Sequence, residues 1–346
     1  MTFRLATKPL APRGWFSSLR IDKVAEINQQ TGAFMAKSSR KKAAKPKRAA
    51  AKPKRVAAKP TRAAAKSTHK VGASLPVVRL VTPADPADKK HPSQDSFEKL
   101  LKKLVGSVDY KVCYGKYDTT TLTGAADGAV TDAYNAVDGG QLAVIVAAGT
   151  MAATIVQDIT IKKNLTATIP IILAVGGSVP TNRQQNLTGF IIDAVGTAQA
   201  QLALMNRPVA VLFDDTPGGP SNNVYSQLDQ TKVTPLTARN PSALKTISLP
   251  AGMNGFMLLP NAMFYNHCDD VVKIVDGKTL PGGGPLPIYY PESEYWAAHK
   301  NKNGVKVLGH HVSLTYRLAA TFVDSILSGD LQIPLPEPTG AVPDKN

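Results

Sequence analysis

From about Leu75 onward, short β-branched runs alternate with helical stretches, and this alternation restricts the possible folds more than any other feature. VVRLV (77–81), YKVCY (110–114), LAVIVAA (142–148) and IPIILAV (169–175) read as the first strands. Helices are expected between them, from about Gln94 to Lys103, from Thr123 to Val137 and from Thr150 to about Lys163. Later strands are expected at VAVLF (209–213), around Lys245–Leu249, and at FMLLP (256–260), PIYY (287–290) and VKVLG (305–309). Near-continuous apolar strands separated by helices indicate parallel sheets covered on both faces, so the class is α/β. About 270 residues is long for one doubly wound sheet, and two lobes are expected.

The segment before this body is chemically foreign to it. AAKPKRA (43–49), AAKPKRV (50–56) and AAKPTRA (57–63) follow one another, with a truncated AAK at 64–66. Residues 36–70 hold 14 Lys or Arg and no acid; residues 1–35 hold five basic and two acidic side chains. The remaining 71–346 therefore hold 41 − 14 − 5 = 22 basic and 25 − 2 = 23 acidic groups, so a +14 arm precedes a body near −1. A coiled coil is excluded because the repeat offers only Ala where a heptad seam needs large apolar side chains. Pro46, Pro53 and Pro60 each oppose a regular helix by roughly 3 kcal/mol. The expectation is a disordered, extended arm with polyproline character.

Such an arm suits a polyanion, because Lys and Arg neutralise phosphates without a fixed geometry. The candidate contacts are Lys41, Lys42, Lys45, Lys47, Arg48, Lys52, Lys54, Arg55, Lys59, Arg62 and Lys66. DNA bound without sequence preference is the favoured partner, with RNA, a solvated linker and an anionic-membrane tether as alternatives. Between Ala36 and Lys70 no aromatic or large apolar anchor favours a membrane. The composition resembles the Lys/Ala/Pro-rich tails of linker histones and histone-like bacterial proteins.

Residues 1–34 hold no apolar run of secretory length, and MAKSSRKK from Met35 reads as an alternative start. The expected layout is a leader at 1–34, the basic tail at 35–72, a first lobe at 73–190, a second lobe at 191–340 with return segments to the first, and a tail at 341–346. Cys113 and Cys268 have no metal-ligand spacing around them and fit buried thiols in a reducing compartment. No stretch reaches the length of a membrane span.

Ligands in this architecture sit beyond the carboxyl ends of the strands. Ala148-Gly149-Thr150-Met151 ends a strand and opens a helix, leaving backbone N–H groups and a hydroxyl for a carboxylate. Gly176-Gly177-Ser178 reads as the same arrangement one strand later; turn and cap chemistry explains both equally well. Asp214-Asp215 could meet a cation or a ligand amine, or cap a helix.

Six motifs occur in the order of a known family. LAVIVAAGTMAATIVQ, TIPIILAVGG, NLTGF (186–190), VAVLFDDTPGGPSNNVYSQL (209–228), FMLLPNAMF (256–264) and LPIYYPESEYWAAH (286–299) resemble ABC-transporter substrate-binding proteins of the tryptophan- and tyrosine-associated type. YRLAATFVDSILSGDLQIPLPEP (316–338) resembles that family's closing helix and exit. The resemblance implies a type I periplasmic-binding-protein fold, two Rossmann-like lobes around a small-molecule cleft. Carried over by position, the ligand candidates are Thr150, Met151, Gly177, Ser178, Asn222, Asn223, Asn261 and Gly309. Departures weaken the ligand expectation more than the fold: a basic tail where the family has an export signal, a short loop between Gly177 and Asn186, Asn261 in place of Asp, and His310-His311 in place of the usual turn.

PGGP (217–220) and PGGGP (281–285) lack the Lys-Ser/Thr of a phosphate loop, and no nucleophile elbow or HExxH motif occurs. Adjacent His310 and His311 would point to opposite faces of a strand and chelate poorly. The expected protein is a non-enzymatic one without a cofactor or bound metal, cytoplasmic and nucleoid-associated, with a ligand-sensing or assembly body. The alternatives are a periplasmic solute-binding protein for an amino-acid-like or aromatic solute and a nucleoid protein with a vestigial cleft. A homo-oligomer remains open.

Overall fold

The computed structural model describes residues 74–88, 92–217, 219–292, 295, 305–340 and 344–345. The leader, the Lys/Arg repeat arm with all its candidate phosphate contacts, and the alternative start at Met35 lie outside the described residues. The described residues all belong to one compact unit.

Two six-stranded sheets build that unit. The first has the order β11-β5-β4-β3-β1-β2, from β1 (Val77–Thr82), β2 (Asp109–Tyr114), β3 (Ala143–Ala148), β4 (Ile171–Gly176), β5 (Leu187–Ile191) and β11 (Thr339–Gly340). The second has the order β12-β10-β9-β8-β6-β7, from β6 (Val209–Phe213), β7 (Val233–Thr237), β8 (Gly255–Leu258), β9 (Ile288–Glu292), β10 (Val305–His310) and β12 (Asp344–Lys345). Every pairing is parallel except that of β10 with β12. This is the α/β class expected from the apolar runs.

Strand alternation sorts each sheet's side chains between two cores. Val77 and Val81 of β1 pack with Leu122, Ala126 and Val130 of α2 (Thr119–Asp138) and Ala152 and Val156 of α3 (Thr150–Lys162). Val78 and Leu80 face Phe97 and Leu101 of α1 (Pro92–Val105) and Tyr316, Ala319 and Val323 of α9 (Val312–Leu327). The chain thus returns to the first sheet after completing most of the second. There, Val209, Val211 and Phe213 pack with Ala198 and Leu202 of α4 (Ala194–Ala203) and Val224 of α5 (Pro220–Ser226). Ala210 and Leu212 face Leu244 of α6 (Pro241–Thr246), Phe264 of α7 (Ala262–Asn266) and Val271 of α8 (Cys268–Val275). Burying a Val, Leu, Ile or Phe side chain contributes about 1.5–3 kcal/mol, so each two-sided strand is a major source of stability.

Two expectations need correction. No strand forms at 245–249. Asn240 caps α6 by accepting from the Ala243 N–H, Pro241 occupies its first turn, and the helix runs through Lys245. Ile247 and Leu249 still alternate inward against the second core, which explains the strand-like pattern. The sheet's edge is instead VTPLT, β7, where Pro235 is tolerated because an edge strand has one unpaired side. The second correction concerns Gly176-Gly177-Ser178, which opens no helix; the chain turns and enters β5.

Candidate functional site

The carboxyl ends of both sheets meet at a cavity of about 220 Å³. The first sheet contributes Thr82 at the end of β1, Ala148 at the end of β3 with Gly149–Met151 beyond it, and Val175 and Gly176 at the end of β4 with Gly177 beyond it. The second contributes Asp214 and Thr216 after β6, Pro260 and Asn261 after β8, and Glu292 at the end of β9. Apolar wall comes from Leu122, Met151, Val175, Ile192, Met263 and Val312.

Of the eight ligand candidates, Thr150, Met151, Gly177 and Asn261 line this cavity; Ser178, Asn222, Asn223 and Gly309 do not. Thr150 Oγ1 donates to the Ser178 carbonyl at 3.1 Å and accepts from the Ser178 N–H at 3.3 Å, so its hydroxyl serves the neighbouring turn. The N-cap of α3, Gly149, sits at φ 95° and provides no side-chain cap. Asn261 accepts from the Met263 N–H at 2.8 Å and donates to Asp214 Oδ2 at 3.1 Å. Asp214 Oδ1 also accepts from the Thr216 N–H and hydroxyl, at 2.9 and 2.6 Å, which fixes the carboxylate at the cavity wall.

Gly309 has a packing role. A Cβ there would stand 1.7 Å from the Pro291 carbonyl oxygen, so β9 and β10 approach closely only because the side chain is absent. Asn222 and Asn223 belong to α5, whose buried residues are Ser221 and Val224.

Several lining residues are not among the eight ligand candidates. Arg239 donates to both oxygens of Asp215, at 2.7 and 3.1 Å. This bidentate pair raises the Arg239 pKa and lowers that of Asp215. Glu292 ends β9 at 4% exposure and is register partner to His310 of β10. His310 is buried, and burial lowers its pKa, partly opposed by Asp193. Glu292 lies within the LPIYYPESEYWAAH motif (286–299), and the rule that parallel-strand ends carry sites also covers it.

Tyr117, just after β2, lines the cavity and donates to Asp88 Oδ2 at 2.5 Å while accepting from Asn266 Nδ2 at 2.9 Å. Asp88 Oδ1 lies 3.0 Å from His267 Nε2. Burial, then the Asp88 carboxylate, push the Tyr117 hydroxyl far above the ordinary tyrosine range. It is therefore a neutral donor at all physiological pH. Among the described residues, no group of three or more His, Cys, Asp or Glu is arranged to hold a metal ion, and no helix is long and apolar enough to cross a membrane.

No family model and no curated protein matches the sequence. Solved structures do match. The ABC domain in complex with L-Trp from Streptococcus pneumonia aligns with TM-score 0.52 and 11% identity, over 78% of this chain and 90% of its own. A LacI family transcriptional regulator from Enterococcus faecium with bound ribose aligns with TM-score 0.52 and 10% identity, over 78% and 96%. The body has the type I periplasmic-binding-protein fold. A transcription regulator of Lactococcus lactis, CcpA, adds a third likeness at TM-score 0.51 and 9% identity, over 78% and 97%. At such identities the likeness concerns the fold, as the ordered motifs implied.

Proposed function

We propose that this protein is a nucleic-acid-associated binding protein: its body holds a small molecule between the lobes, and its Lys/Arg repeat arm binds DNA without sequence preference. The observation that carries the first part is the cavity at the carboxyl ends of both sheets, walled by apolar side chains and a few fixed polar groups, the usual composition of a small-molecule site. The solved relatives that carry L-Trp and ribose support a binding body rather than a catalytic one. For the arm, the support is charge: 14 cations and no acid in residues 36–70 beside a nearly neutral body. Lys41, Lys42, Lys45, Lys47, Arg48 and their counterparts in the following repeats would track phosphates. The corresponding location is the nucleoid.

A thermal-shift screen of amino acids, sugars and amines on the full chain tests the body. A ligand at 100 times its Kd stabilises by about 2.7 kcal/mol, a shift readily seen. Absence of a shift across the library would reject the ligand-binding reading.

A further inference from the structure

One buried amide in the cavity wall narrows the ligand class, an inference that rests on the reading that the cavity binds a small molecule. Gln94, in the first turn of α1, lines the cavity at 7% exposure. Its Oε1 accepts from the Tyr114 hydroxyl at 3.2 Å, and among the described residues its Nε2 has no acceptor. A buried donor left without a partner is costly, so a ligand oxygen that accepts from it removes that cost.

The ionic groups described in the wall, by contrast, already hold partners. Arg239 is bonded twice to Asp215, and Asp214 is held by Thr216 and Asn261. Asp118 accepts from the Thr121 N–H and hydroxyl at 2.7 and 2.8 Å, and Glu292 has an interaction of its own. The Thr150 hydroxyl, expected to anchor a carboxylate, serves Ser178, and the Tyr117 and Tyr265 hydroxyls are bonded within the protein. An ionic ligand would shed its water against walls whose charges are already satisfied, whereas an apolar one gains by leaving water.

We propose that the cavity takes an uncharged, mostly apolar molecule carrying a hydrogen-bond acceptor such as a carbonyl oxygen, and that the Gln94 amide donates to that acceptor. The carbon skeleton packs against Leu122, Met151, Val175, Ile192 and Met263.

Acetophenone and ethylbenzene share a ring and nearly a shape, and only the first carries an acceptor; benzoate and benzylamine supply the two charges. All four join the thermal-shift library and are titrated into the full chain at pH 7. Acetophenone should bind at least about fivefold more tightly than ethylbenzene, the scale of one net hydrogen bond, and at least about tenfold more tightly than benzoate or benzylamine. Gln94→Met removes the donor at similar length; it should weaken acetophenone by at least about fivefold while changing ethylbenzene by less than about twofold, a split that a general loss of structure would not produce. If that variant does not fold, the four-ligand series on the unsubstituted protein decides alone. Benzoate or benzylamine binding as tightly as acetophenone, ethylbenzene matching it, or hits confined to amino acids, sugars or amines would overturn this assignment and leave the small-molecule reading intact. Silence from these probes and from the whole library would overturn both.

Discussion

Tyr117 and Tyr265 cross between the two halves of the body in opposite directions. Tyr117 belongs to the first half but packs against the second half's core of Phe256, Phe264 and Val271. Tyr265, from α7 of the second half, is buried in the first half's cluster with Val78, Leu80 and Phe97. Its hydroxyl accepts from Ser93 at 2.9 Å and lies 3.1 Å from Ser313 Oγ. Both rings also line the cavity, so the contacts that fix the lobes and the walls of the site are the same residues.

This exchange makes lobe coupling measurable. Tyr265→Ala removes a buried aromatic ring and should destabilise the body by about 3–5 kcal/mol. Tyr117→Phe keeps the ring but leaves buried Asp88 short of a donor, an expected loss of about 1–3 kcal/mol. Urea melts measure both, and hydrogen exchange should show faster opening around Asn266 and Ser93 in each variant. Unchanged exchange in Tyr265→Ala would mean the ring does not hold the lobes.

His310 should make stability depend on acid pH. Burial holds its pKa below the ordinary 6.5, so between the two values the unfolded chain binds a proton that the folded one refuses. Stability is full above about pH 6.5 and falls as pH drops toward the folded value, with a slope of at most about 1.4 kcal/mol per pH unit for one proton. Chemical denaturation at pH 7, 6 and 5 should show a smaller decline in His310→Gln than in the unsubstituted protein.

Gly309 tests a packing role against the ligand role inferred by position. Gly309→Ala brings a Cβ into the Pro291 backbone and should cost more than about 2 kcal/mol. In variant protein that remains folded at low temperature, affinity for any ligand found should change by less than about threefold, under 0.7 kcal/mol by the tenfold-per-1.4 relation.

Much of the fold was legible because buried parallel strands must be apolar on both faces, and VVRLV, LAVIVAA and IPIILAV are nearly continuous. Pro235 hid the edge strand, and Ile247 and Leu249 mimicked one, since inward alternation arises wherever an extended chain lies on a core. The site was half legible. Thr150, Met151, Gly177 and Asn261 follow strands, where position alone predicts a crevice. Tyr117 and Tyr265 were not, because their roles come from segments far apart in the chain: Asn266 meets Tyr117 across 149 residues, and Tyr265 meets Ser93 across 172.

The arm's affinity for DNA, the claim that separates this protein from a simple solute binder, is tested by fluorescence anisotropy on two unrelated duplexes of equal length. If six to ten phosphates are engaged, affinity should fall by about 10³–10⁵ between 50 and 200 mM salt. The two duplexes should compete within about tenfold, since proline-punctuated Lys/Arg repeats present no rigid element to a major groove. The chain lacking residues 36–70 should show no binding at 200 mM salt; equal binding with and without the arm would contradict the account.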